Sequence, residues 1–239
     1  MKYQLETIPV WDAFNEQSEC PLCFLEDRNE KTYIKFFLGD SVMDPDTRVE
    51  VNKTGFCAHH SQLLFLGGHK QGLGLMMHTF IQHTIPLFEN RADKLLKSTK
   101  GKPSADAIKQ LSDFADTSVS ECIFCRRLEQ TLLRYCFTII YLWKKDEQFK
   151  EAFKASKGFC LKHLPIVLDM AAQKLSGSGL STFLNTLLPL QTASLHRLEK
   201  EILWFTQKFE YRNKDKPWNS SKDALQRILQ KLTGKIYRE

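Results

Sequence analysis

Cys-x-x-Cys followed by Gly-Phe-Cys-x-x-His occurs twice in this chain, and few patterns narrow a fold so far. The first copy reads Cys20-Pro21-Leu22-Cys23, then Gly55-Phe56-Cys57-Ala58-His59-His60. The second reads Cys122-Ile123-Phe124-Cys125, then Gly158-Phe159-Cys160-Leu161-Lys162-His163. Three thiolates and one imidazole fill a tetrahedral shell, a usual ligand set of structural zinc. Taken in chain order, the expected metal ligands are Cys20, Cys23, Cys57 and His60 in one copy and Cys122, Cys125, Cys160 and His163 in the other. Each ion then closes a long loop and ties the start of one helix to the start of another. Two histidines follow Cys57, and the repeat separates them: His60 aligns with His163, and His59 with Lys162. His60 is therefore the expected ligand, and His59 a surface group or a neighbour of the site.

The duplication extends beyond the ligands. Ser18-Glu19-Cys20 matches Ser120-Glu121-Cys122, and Tyr33 matches Tyr135. After one inserted residue, Gly74 matches Gly177, Thr79-Phe80 matches Thr182-Phe183, and Pro86-Leu87 matches Pro189-Leu190. Such self-similarity means one structural unit used twice. The expected divisions are a first repeat over 1–97, a linker over 98–104, a second repeat over 105–210 and a C-terminal turn and helix over 211–239.

The periodicity is helical throughout, with no strand alternation of any length. Helices are expected over 24–39 and 126–144 after each Cys-x-x-Cys. Shorter ones start near Asp44-Pro45 and Lys145-Asp146-Glu147, each stopped at the Gly of Gly-Phe-Cys. Others follow over 58–68 and 161–175, then 75–97 and 180–210, the last two with an internal proline expected to bend them. A short helix is expected over 105–117, with its counterpart near 10–17. In the tail, Ser220 or Ser221 is the expected cap of a last helix that ends at Gly234. Its apolar face would be Ala224, Leu225, Ile228, Leu229 and Leu232. The fold class is thus all-α: two tandem, similar helical units, each stapled by a site of three cysteines and one histidine, plus a helical tail.

Composition excludes several functions. A hydrophobic content of 42% supports a folded core rather than a disordered chain. No basic stretch followed by an apolar run opens the chain, and no apolar run spans a bilayer, so a cytoplasmic protein without membrane insertion is expected. Seven cysteines leave Cys136 outside the pattern, in an apolar helical run where a buried inert thiol is expected. The net charge of +6 is mild and mixed in sign, which does not favour nucleic-acid binding. His69, His78, His83 and His196 read as packed or solvated helical residues. Trp204, Phe205 and Phe209 read as an aromatic core stripe, and Lys94, Lys97, Lys100 and Lys102 as a solvated linker. No catalytic constellation and no nucleotide loop stands out.

Cys-Pro-Leu-Cys-x-x-Glu (Cys20 to Glu26), the two Gly-Phe-Cys-x-x-His motifs, and Phe209-Glu210-Tyr211-Arg212 with Pro217-Trp218 in the tail resemble a bacterial family known as a domain of unknown function, number 6062. The resemblance covers nearly the whole chain and implies no activity. The function expected from the residues is a zinc-binding helical scaffold or adaptor with two Zn²⁺ per chain, and a protein partner or self-association. A redox or [4Fe–4S] protein is the alternative, and a nucleic-acid-binding regulator a third.

Overall fold

A computed structural model describes residues 6–98 and 104–237. Eleven α-helices and no strand occur among them. The chain forms two compact units: one of Met1–Arg28 with Gln130–Glu239, the other of Asn29–Glu129. We call these the first and the second unit. The repeats run in order along the chain, and the compact units do not follow that order. Most of the expected linker, residues 99–103, lies outside the described residues.

In the first unit, α1 (Thr7–Asn15) packs on α8 (Glu147–Ala155). Phe14 meets Phe149 and Phe153 at ring distances of 4.8 and 5.8 Å. Trp143, Phe159 and Phe183 complete a buried aromatic core. The Asp146 side chain caps α8 by accepting from the Phe149 N–H. The helix stops at Ala155, short of Gly158. A turn carries Cys160 and His163 into α9 (Leu164–Lys174). α10 (Gly177–Gln207) and α11 (Ala224–Thr233) close the unit.

α2 (Pro21–Leu38) and α7 (Ile123–Lys145) each begin within one unit and end within the other. Pro21 occupies the first turn of α2, where a missing N–H costs nothing. The second unit also holds α3 (Pro45–Thr54), α4 (Ala58–Leu66), α5 (Lys70–Ser98) and α6 (Ala105–Ser120). The Asp44 carboxylate caps α3, and Gly55 stops it at φ +63°. Phe37, Phe56 and Phe124 form a smaller aromatic core with Val51, Leu64 and Met76.

Several local expectations are corrected. α5 begins at Lys70, so Gly72 and Gly74 are helical. Pro86 and Pro189, by contrast, lie inside α5 and α10 as expected. Ser220 and Ser221 sit in a 3₁₀ turn, and neither caps α11 through its side chain. α11 buries only part of the expected apolar face: Ala224 is fully buried, and Ile228 and Leu229 are partly so. Leu225 and Leu232 are about half exposed, while Lys231 is fully buried. Phe209 is exposed rather than core, edge-on to Phe205 and Trp218, and the Lys208 ammonium lies over the Trp218 ring. Cys136 is buried, and burial pushes its thiol up, in keeping with an inert group. No described helix is long and apolar enough to cross a membrane.

Candidate metal centres

All eight expected ligands converge into two clusters, but the partners differ from those expected. Cys20 and Cys23 join Cys160 and His163, while Cys122 and Cys125 join Cys57 and His60. Each Cys-x-x-Cys therefore meets the Cys-x-x-His of the other copy. Within the second unit the Gly55 carbonyl accepts from the Ile123 N–H, which seats Cys57 beside the start of α7. Spacing alone could not separate the two pairings, because both copies carry the same ligands.

The first centre lies entirely within the first unit. Cys23 Sγ is 3.4 Å from Cys160 Sγ. His163 Nδ1 is 3.6, 3.5 and 3.2 Å from the sulfurs of Cys20, Cys23 and Cys160. All four residues are buried. The second centre lies entirely within the second unit. His60 Nδ1 is 3.2, 3.4 and 3.4 Å from the sulfurs of Cys57, Cys122 and Cys125. Cys57 and Cys125 sulfurs are 3.8 Å apart. Here Cys125 is exposed, and the His60 ring stacks on Phe124 at 4.9 Å.

Local structure aims these side chains. Cys20, Cys122 and Cys57 each precede the first turn of a helix, α2, α7 and α4 respectively. The positive end of the helix dipole favours thiolates there. Gly55 and Gly158 take φ of +63° and +71°, which favours glycine. A Cβ on Gly55 would lie 2.7 Å from the Phe80 ring, and one on Gly158 2.7 Å from Gln191 Oε1. Gln191 holds Phe159 at both ends, accepting from its N–H at 2.9 Å and donating to its carbonyl at 2.8 Å. The Gly55 carbonyl accepts from Ile123 N–H at 3.2 Å, which joins the two halves of the second centre.

Charge inside each cluster is shared unevenly. Burial pushes His163 down, but Cys160, Cys20 and Glu26 together raise it to about 11. Burial likewise opposes His60, which Cys122, Glu30 and Cys57 raise to about 10. Hydrogen bonds from Cys20 and Cys23 pull the Cys160 thiol far down. Burial pushes Cys122 up, but His60 and backbone N–H groups hold it to about 6. Burial and its neighbouring thiols push Cys125 up to about 12.

Two residues of this arrangement were not expected as neighbours of the ligands. Glu26 Oε2 stands 3.2 Å from His163 Nε2, and Glu30 Oε1 3.2 Å from His60 Nε2. Each carboxylate stands close enough to its ring nitrogen to favour the charged imidazole. Glu26 also pairs with Lys162 at 2.7 Å, and Glu30 with His59 at 2.9 Å. His59 points its Nε2 at Glu30 and is outside the four-residue ligand cluster. The legible signal was their spacing on α2, three and seven residues after Cys23.

A family model described as a family of unknown function (DUF6062) matches residues 1–239. An uncharacterized 23.9 kDa protein in the xynA 3′ region of Caldicellulosiruptor sp. (strain Rt8B.4) is 26% identical over 199 residues, 83% of this chain and 86% of that one. No solved structure matches.

Proposed function

We propose that this chain, which belongs to the DUF6062 family, is a zinc-stapled helical scaffold that serves as an adaptor for a protein partner. The observation that carries this reading is closure. Each centre offers four protein donors within 4.8 Å of one another. Zinc with thiolate and imidazole bonds near 2.3 and 2.0 Å needs donor separations of roughly 3.5–3.8 Å. The imidazole–sulfur separations of 3.2–3.6 Å and the sulfur pairs at 3.4 and 3.8 Å lie close to that tetrahedron. Four protein ligands leave no open position for a substrate or an activated water, unlike a catalytic zinc with three. In both centres Nδ1 would be the ligand atom and Nε2 would face a carboxylate, the usual support for a metal-bound histidine.

The ion supplies folding free energy when bound. The chain's own residues place the donors, exclude water from the first centre and orient the two rings. The setting we infer is the reducing cytoplasm, where Cys-x-x-Cys pairs serve metals more often than disulfides. Elemental analysis with a visible spectrum, on protein purified without oxygen, tests the reading. Two zinc per chain and a colourless solution are expected. Iron with sulfide and visible absorption would replace the scaffold with electron-transfer chemistry.

A further inference from the structure

The two centres are built alike but covered differently. In the first unit, α11 lies over the ligands. The Lys231 carbonyl accepts from Leu161 N–H at 2.9 Å. The buried Lys231 ammonium donates to the carbonyls of Glu19 at 3.1 Å and Lys157 at 2.5 Å. Arg227 reaches the Glu19 carboxylate at 3.5 Å. The Gly234 carbonyl stands 3.4 Å from Cys23 Sγ, and a Cβ on Gly234 would meet the Lys162 side chain. Glu19 and Cys23 are buried as a result.

The duplication assigns each of these positions a counterpart in the second unit. Glu19 corresponds to Glu121, Leu161 to Ala58, Lys162 to His59 and Cys23 to Cys125. Glu121 and Cys125 are exposed where Glu19 and Cys23 are buried, while Ala58 and His59 are exposed as Leu161 and Lys162 are. Thr54, the counterpart of Lys157, and Glu121 both border a cavity of about 160 Å³. Among the described residues no cation pairs with the Glu121 carboxylate, and α6 lines the same cavity through Phe114, Thr117 and Ser118.

We propose that this face of the second unit is the docking site for an amphipathic basic helix of a partner protein, seated as α11 is seated on the first. The occupant carries an arginine, a lysine four residues later and a glycine three residues after that, the spacing of Arg227, Lys231 and Gly234. Its lysine reaches the Glu121 and Thr54 carbonyls, and its arginine the Glu121 carboxylate. Its glycine carbonyl lies against Cys125. Charge favours the fit, since three thiolates around a divalent ion leave the centre with one negative charge beside that of Glu121. A second copy of this chain is disfavoured as occupant, because its α11 is already seated on its own first unit. The proposal rests on the scaffold reading, and metal content measured beforehand on the same sample separates the failure of one from the failure of the other.

The probe is a synthetic peptide spanning residues 219–237, added to the isotope-labelled, zinc-loaded full chain and followed by amide NMR. Saturable shifts at Thr54, Ala58, His59, Glu121 and Cys125 are expected. Peptide carrying Lys231→Ala should bind about tenfold more weakly or worse, as should the chain carrying Glu121→Gln, each having lost a charge-assisted contact. Ala58→Arg, which places a cation beneath a cationic helix, should weaken binding independently. Absence of saturable binding, shifts gathered at Lys157, Leu161 and Lys162, or indifference to both chain variants in protein with two zinc per chain would overturn the proposal.

Discussion

Glu26 and Glu30 stand one turn apart on α2, yet each faces the histidine of a different centre. A carboxylate behind a metal-bound imidazole fixes the ring and raises its basicity, and its loss typically weakens metal binding 10–100-fold. Glu26→Gln should therefore weaken the first centre by about that factor and Glu30→Gln the second, each leaving the other unchanged. Competition with a zinc chelator, read one centre at a time, checks this. Equal weakening of both centres by either variant would refute the assignment. His59→Ala should retain two ions per chain, because His59 touches Glu30 and no sulfur of the ligand cluster. Loss of an ion would mean that His59 is a ligand.

At the scale of elements, the turn between a short helix and the ligand pair depends on one glycine. Gly158→Ala forces a φ of +71° on a residue with a Cβ and drives that atom into Gln191 Oε1. Strained backbone of this kind costs about 1–3 kcal/mol, and denaturant titration of the zinc-loaded chain should show a loss of that size. Lys231→Met should cost a similar amount, about 1–3 kcal/mol, because a buried and a half-buried carbonyl lose their donor. If α11 seats mainly through its leucines, the loss would be negligible. The leucines are what pattern reading favours. Helix type, caps at Asp44 and Asp146, and the stop at Gly234 were legible because they depend on neighbours in sequence. The burial of Lys231 was not, because its ammonium is held by carbonyls of Glu19 and Lys157, far away along the chain. The same limit applied to the centres. Which residues cluster could be read from their types, whereas which four assemble depends on contacts far apart along the chain.

For the whole molecule, the crossed pairing makes a sharp demand on metal counting. Cys23→Ser with Cys160→Ser damages one centre twice and should leave one zinc per chain. Cys23→Ser with Cys57→Ser damages both centres and should leave none, whereas pairing in chain order predicts the opposite for these two variants. Unequal burial adds a kinetic consequence. A chelator must reach a ligand to begin exchange, and Cys125 is exposed while Cys20, Cys23, Cys160 and His163 are all buried. The first centre is also overlain by α11, so its ion leaves only when that helix lifts, at a rate set by local opening. Release to excess chelator should thus be biphasic with equal amplitudes, the fast phase belonging to the second centre. Cys57→Ser removes that centre without touching α11, and the remaining ion should leave in the slow phase alone. If it leaves at the fast rate, burial under α11 does not govern release. If instead it is slow and Lys231→Met makes it fast, the helix that covers the first centre is the barrier.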